Sequence, residues 1–209
     1  MDLESDVDLV LSALQARTNA YLIAVVGVPG SGKSTLCQSL AQRLPRAVVL
    51  PMDGYHVPRE QLSDADLKRR GAPHTFDFAQ FKADLENLRR FRTGRFPAFD
   101  HAKKDPEPNA IHVTPENAPI LVEGNYLLLQ AWGLAELFDF KIFLDCDISR
   151  AMARVETRLF ECGIVPTRAA AIQQVATNDR LNADLILQDG TPSRVDMILR
   201  QEVATRASG

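Results

Sequence analysis

Apolar residues are distributed along this chain in two ways, and the two periods predict an alternation of strands and helices. Tyr21–Val26, Ala47–Leu50 and Ile120–Val122 are short unbroken apolar runs and Phe140–Leu144 is one broken only by Lys141, each ending near glycine, proline or an acid. Runs of this length and content read as strands buried on both faces, as a parallel sheet requires. Between them, apolar residues recur at spacings of three and four. Val7, Val10, Leu11 and Leu14 predict a helix over 4–17 with Ser5 as a candidate N-cap, and Leu36, Cys37, Leu40, Ala41 and Leu44 predict a second. Phe78, Phe81, Leu85 and Leu88 predict a third over 78–92, capped by Asp77. Two more are expected, one from near Ser149 behind the caps Asp145 and Asp147, and one from about 168 to 183 or beyond. The fifth strand is expected at Val195–Leu199, although Ala183–Leu187 has a similar pattern and competes for the role. This alternation defines a doubly wound, five-stranded parallel α/β sheet with flanking helices.

Two stretches stand apart. Residues 54–77 are polar and interrupted by Pro58, Gly71 and Pro73, while 93–119 are proline-rich with little periodicity. A loop as long as the second, inside a compact domain, is usually functional or disordered, and its aromatic, acidic and basic content favours a binding insert.

Composition narrows the classes. At 209 residues the chain suits one domain with a full core, and 45% hydrophobic and 24% charged residues are ordinary for a globular protein. A net charge of −3 gives no electrostatic footprint for nucleic acid or an anionic membrane. Cys37, Cys146 and Cys162 lie far apart and form no C-x-x-C pair, so they read as reduced thiols and not as a zinc site. The acidic opening Met-Asp-Leu-Glu-Ser-Asp differs from a basic signal sequence, and no apolar run has transmembrane length, so a cytoplasmic protein is expected.

Candidate chemistry concentrates after the first strand. Gly27, Gly32, Lys33 and Ser34 fit the spacing G-x-x-x-x-G-K-[ST], with Pro29, Gly30, Ser31 and Thr35 in the same loop. The glycines let successive N–H groups point at one anion, and the following helix offers its positive N-terminus. Lys33 is expected to reach the β- and γ-phosphates of a nucleoside triphosphate, and Ser34 to bind Mg²⁺. Asp53 and Glu123 each close an apolar strand, at the end of the sheet where ligands of such folds lie. Glu123 is expected to hold Mg²⁺ with Ser34. Arg150, Arg154 and Arg158 fall at i, i+4, i+8, where like charges repel by a few tenths of a kcal/mol per pair, so the stripe points to an anion.

With these residues collected, the chain resembles the superfamily of uridine kinases, phosphoribulokinases and bacterial pantothenate kinases over roughly residues 20–200. The likeness rests on Gly27–Thr35, Met52–His56, Arg70–Asp77, Phe99–His101 and Leu121–Gly124, extended by Arg158 before Gly163 and by Asn178, Asp179 and Asn182. It is greatest to the short bacterial kinases labelled as belonging to fructose transport systems and, in the segment 52–77, to pantothenate kinase. The resemblance implies a phosphate-loop kinase fold with sheet order 2-3-1-4-5. It also implies that Asp53 lies against the substrate hydroxyl and that Arg154 and Arg158 contact the phosphates. Gly54-Tyr55-His56 departs from the Ser-Phe-Tyr of uridine kinases, and the chain is shorter than a pantothenate kinase.

The expectation is therefore one kinase domain over 1–209, with a lid at about 149–170 and acceptor-binding inserts at about 53–77 and 93–119. ATP and Mg²⁺ are the expected cofactors, and the acceptor is expected to be a small-molecule alcohol: a sugar, a nucleoside or a pantothenate-like compound, with the sugar class favoured. Asp53 is expected to take the hydroxyl proton. Tyr55, His56, Arg70, His74, Asp100 and His101 are expected to shape the acceptor pocket. No nucleic-acid or membrane partner is expected, and a monomer or homodimer is. A nucleotide-gated switch acting on a protein partner is the alternative, although neither the N-K-x-D base-reading motif of GTPases nor the L-S-G-G-Q signature of transporter ATPases occurs.

Overall fold

The computed structural model describes residues 3–100 and 102–201. In chain order the elements are α1 (Leu3–Gln15), β1 (Leu22–Gly27), α2 (Lys33–Arg43), β2 (Val48–Pro51), α3 (Asp64–Lys68), α4 (Phe78–Phe91), β3 (Gly94–Asp100), β4 (Asp105–Val113), β5 (Ile120–Gly124), β6 (Phe140–Asp145), α5 (Ile148–Glu161), α6 (Arg168–Gln174), α7 (Arg180–Gln188) and β7 (Met197–Arg200). The main sheet runs β2-β5-β1-β6-β7 with every neighbour parallel. Counted among its own five strands, this is the order 2-3-1-4-5.

β1 is the centre because it is apolar throughout and buried at every position. Its residues alternate between two layers, as a strand's period of two demands. Leu22, Ala24 and Val26 face a core with Phe81, Leu85 and Leu88 of α4, while Ile23 and Val25 face Val7 and Val10 of α1 and Leu36 and Leu40 of α2. Val26 lies level with Gly124 and Gly27 with Leu144, so the strands' carboxyl ends share one edge. Asp139 fastens the opposite end, its Oδ2 accepting the N–H groups of Tyr21 (2.9 Å) and Leu22 (3.0 Å).

Several boundaries differ from expectation. The fifth strand is β7, whereas Ala183–Leu187 lies in α7, where Ala183 and Ile186 are buried three residues apart on one helix face. The last long helix continues from Arg168 to Gln188 through a π-turn at Val175–Asp179. Ser5 lies inside α1 rather than capping it. Asp147 does cap α5, its side chain accepting the N–H of Arg150 at 2.9 Å, but Asp145 ends β6 and faces Arg200 at 3.8 Å. The placement of His101 lies outside the described residues.

The largest departure is the proline-rich stretch. It forms an antiparallel ribbon, β3 with β4, separate from the main sheet. Proline hides the alternating pattern but is tolerated in such an edge ribbon, and Pro97 sits where the register shifts between Phe96 and Ala98. The ribbon packs on the short 3₁₀ turn Met52–Tyr55 that follows β2. A Cβ on Gly54 would lie 2.4 Å from the carbonyl oxygen of Pro97, so only glycine permits this contact. Gly54→Ala is therefore expected to cost about 1–3 kcal/mol by overpacking. That corresponds to a thermal melt lower by roughly 2–4 °C per kcal/mol in a chain of this size, measurable by calorimetry.

Candidate active site

The loop after β1 turns back through Gly30 (φ 79°) and Gly32 (φ 97°), conformations that a side chain would strain. Gly32 is the N-cap of α2 and offers no capping side chain, which leaves the first N–H groups of α2 available to an anion. A Cβ on Gly30 would lie 2.2 Å from the carbonyl oxygen of Ala151, so the loop lies flush on α5. Ala151, Met152, Val155 and Leu159 of α5 are buried. The near part of the expected lid is thus packed into the core.

Lys33, 8% exposed, folds over the loop and donates through Nζ to the carbonyl oxygens of Gly27 and Val28, both at 3.0 Å. Burial lowers its pKa to about 8, against the upward pull of Glu123 and Asp53. Beside it the Ser34 hydroxyl donates to Glu123 Oε2 at 2.9 Å. Burial pushes the Glu123 carboxyl up, although Lys33 and Ser34 oppose the shift. An ammonium and a carboxylate each held toward neutrality in one place form a site that gains from added phosphate and cation together.

A cavity of about 600 Å³ opens at this edge of the sheet. The loop residues Pro29, Gly30, Gly32, Lys33, Ser34 and Thr35 line it, as do Asp53, His56, Glu123, Arg150, Arg154 and Arg158. Gly27 and Ser31 lie beneath the loop, where Ser31 is fully buried. Asp53 is exposed and makes no side-chain hydrogen bond among the described residues, which leaves its carboxylate open to a ligand. His56 stacks on Phe76 at 4.0 Å, and burial lowers its pKa, so it is neutral at pH 7. Arg154 Nη1 donates to Gly30 O (3.3 Å) and to Gln201 Oε1 (3.0 Å), while Gln201 Nε2 donates to Ser31 O (2.9 Å). Arg158, one turn further along, is exposed and makes no ion pair or hydrogen bond among the described residues.

Four residues expected in the acceptor pocket do not line this cavity. Tyr55 is buried against Phe81 and donates its hydroxyl to Asp84 Oδ2 at 2.8 Å. Arg70 pairs with Asp105 at 2.6 Å and bonds Lys104 O, tying the ribbon to the 53–77 segment. His74 faces Asp66 at 3.2 Å on the surface. Asp100 accepts the N–H groups of Ala102 and Lys103 at the tip of the ribbon. Tyr55 and Arg70 brace the segments around the cavity, while His74 and Asp100 lie at the surface and at the ribbon tip, a distinction that spacing alone does not carry. Conversely, Gln201, Asn125, Asp179 and Asn182 line the cavity without having been singled out for it. Gln201 follows the fifth strand directly, so its position at a carboxyl strand end was the available signal.

A phosphate loop at the central strand, a carboxylate at the next strand end and an arginine helix across one cavity define a nucleoside-triphosphate-dependent phosphotransferase. The model of the phosphoribulokinase and uridine kinase family matches residues 22–158, and the chain belongs to that family. A Schizosaccharomyces pombe protein named as a candidate uridine kinase is 37% identical over 197 residues, covering 86% of this chain and 83% of its own. The uncharacterised Escherichia coli K12 protein YggC is 36% identical, covering 90% and 80%. The crystal structure of a candidate fructose transport system kinase from Silicibacter sp. TM1040 superposes with a TM-score of 0.79 at 33% identity, covering 95% of this chain and 99% of that one. The chain is accordingly a small-molecule kinase, transferring a phosphoryl group from ATP to a hydroxyl. Among the described residues, no helix is long and apolar enough to cross a membrane.

The state of Lys33 carries a pH consequence. Near neutral pH it is charged with or without a ligand, but above about 8 the free protein loses this proton. A bound polyphosphate favours the charged form, so binding there takes up a proton, and affinity falls as pH rises. Titration calorimetry of ATP at pH 8.5, in two buffers of different ionisation enthalpy, is expected to show net proton uptake that is absent at pH 7. Affinity constant from pH 7 to 9.5 would contradict this account of Lys33.

Proposed function

We propose that the protein is a Mg²⁺- and ATP-dependent kinase acting on a hydroxyl of a sugar or sugar-containing metabolite in the cytoplasm. The observation that carries the reading is the unengaged carboxylate of Asp53, which shares a cavity with the phosphate loop and with Arg158. Asp53 orients the acceptor hydroxyl and takes its proton as the new phosphorus–oxygen bond forms and the bond from the γ-phosphorus to the departing ADP breaks. Lys33 and the loop N–H groups hold the β- and γ-phosphates. Arg154 and Arg158 face the charge that develops on the transferring group. Catalysis of this kind is mostly positioning and electrostatic stabilisation.

Mg²⁺ fits the donor set. Ser34 and Glu123 supply hard oxygen donors 2.9 Å apart, and the raised carboxyl of Glu123 is relieved by a cation. No group of three or more His, Cys, Asp or Glu side chains among the described residues forms a metal cage. That agrees with an ion held chiefly by substrate phosphates and one or two protein oxygens. When bound, Mg²⁺ would be held by Ser34 and Glu123 and would supply positive charge against the phosphates.

The sugar class is supported by the polar lining, in which Asp53, His56 and Asn182 accompany Phe76. It is also supported by the named relative of fructose transport systems and by the residues Gly54-Tyr55-His56, where uridine kinases carry another triplet. ADP release against matched sugars, nucleosides and pantothenate tests this, and turnover confined to a nucleoside monophosphate or a protein would reject it.

Two substitutions separate the roles. Asp53→Asn keeps the shape and removes the proton acceptor, so acceptor-dependent ADP release is expected to fall on the order of 10²–10⁴-fold with ATP binding retained. Equal loss of both would make Asp53 part of the nucleotide site. Arg158→Ala is expected to lower kcat more than it weakens ATP binding, because its contacts strengthen as charge moves. Full activity in this variant would leave Arg158 as a solvated surface charge.

A further inference from the structure

Asp179 has no part in the chemistry assigned so far, yet it lines the same cavity as Asp53, His56 and Asn182. It closes the π-turn Val175–Asp179 between α6 and α7, and such turns inside helices concentrate at functional sites. The turn is stapled to the segment facing it. Asn178 Nδ2 donates to Arg70 O at 2.8 Å and Asn182 Nδ2 to Gly71 O at 3.2 Å. Arg69 donates back to Thr177 O at 2.7 Å and to Asn182 Oδ1 at 3.3 Å, while the Tyr126 hydroxyl holds Gly71 O at 2.6 Å. Asp179 is therefore presented from a fixed wall.

Its own hydrogen bonding is incomplete. Oδ2 of Asp179 is buried without a partner, and Nδ1 of His56 is in the same condition. Two orphaned polar atoms on residues of one cavity are costly unless a ligand pairs them. Arg158 and Arg69 act on the carboxyl from a distance, but neither forms an ion pair with it among the described residues. Burial outweighs them and raises its pKa to about 6, so a carboxylate at neutral pH gains from a hydrogen-bond donor. The charge around it narrows the ligand: Asp53 and Asp179 line the cavity together, while its cations are Lys33 of the phosphate loop and the α5 stripe Arg150, Arg154 and Arg158, of which Lys33, Arg154 and Arg158 face the nucleotide phosphates in the reading above. A carboxylate or phosphate beside the reacting hydroxyl would meet two acids.

We propose that Asp179 is the residue that selects the acceptor: it receives a hydrogen bond from a second hydroxyl of an uncharged polyol whose first hydroxyl faces Asp53, and it excludes acceptors that carry an anionic group there. His56 Nδ1 pairs with the same polyol. This inference rests on the acceptor site proposed above and specifies its chemical class.

The test uses the full-length protein with Mg²⁺ and a non-hydrolysable ATP analogue. Titration calorimetry measures binding of free sugars and sugar alcohols against the aldonic acids of the same skeletons. At least one polyol is expected to bind ten times or more tightly than its matched acid. Asp179→Ala is expected to weaken that polyol about 10–100-fold, and Asp179→Asn less, because one acceptor oxygen remains. Asp179→Asn is also expected to narrow the polyol-to-acid ratio, which a purely structural role would not do. Analogue binding and the thermal melt stay near wild type in both variants. Failure of every compound to bind, equal binding of polyols and acids, unchanged polyol binding in Asp179→Ala, or a parallel loss of analogue binding overturns the assignment. If the binding pattern appears but ATP yields no ADP with the same polyol, the phosphoryl-transfer reading of this site fails while the role of Asp179 stands.

Discussion

Gly30 and the carbonyl oxygen of Ala151 leave no room for a methyl group between them, so the phosphate loop and α5 meet backbone to backbone. Much of the site depends on that contact. It keeps the loop bare, so that its N–H groups and the N-terminus of α2 remain open to an anion. It also brings α5 close enough for Arg154 to bond the loop through Gly30 and, by way of Gln201, to bring the end of β7 into the same network. Because α5 is anchored along Ala151, Met152 and Val155, its arginine stripe points across the cavity from a fixed origin.

The site's electrostatics follow from burial more than from net charge. Lys33 and Glu123 are shifted in opposite senses, each toward its neutral form, and each partly restored by the other. A magnesium–triphosphate complex carries both complementary charges at once. Its binding would therefore relieve two desolvation penalties together, and the two halves of the ligand would strengthen one another's contacts. His56, held neutral against Phe76, adds hydrogen-bonding capacity to the cavity without adding charge.

The parallel sheet was legible because β1 is an unbroken apolar run buried at every position and β5 and β6 are apolar but for Lys141 and their closing acids. The phosphate loop was legible because its glycine spacing, its lysine and the strand before it agree. The ribbon β3–β4 was not, since prolines at 97, 106 and 108 remove the alternation by which a half-exposed strand is recognised. Residues that line a pocket were harder to separate from residues that build its wall. Tyr55 and His56 are adjacent and both polar, yet one donates inward to Asp84 and the other lines the cavity. Which side of a 3₁₀ turn a residue faces is decided by packing against Phe76 and Phe81, tertiary contacts that no local period encodes.

The π-turn makes the length of the chain in this region a functional quantity. An α-helix advances by about 100° per residue, so the extra residue accommodated at Val175–Asp179 offsets everything beyond it by roughly that angle. With this offset, Ala171 before the turn, Val175 at its start and Ala183 and Ile186 after it are all buried, while Asn182 reaches Gly71. A one-residue deletion there would leave composition and hydrophobicity almost unchanged. It would turn α7 so that its polar and apolar faces no longer meet their partners. Relatives compared by residue identity alone could thus share every side chain of this wall and still present a different one to the ligand.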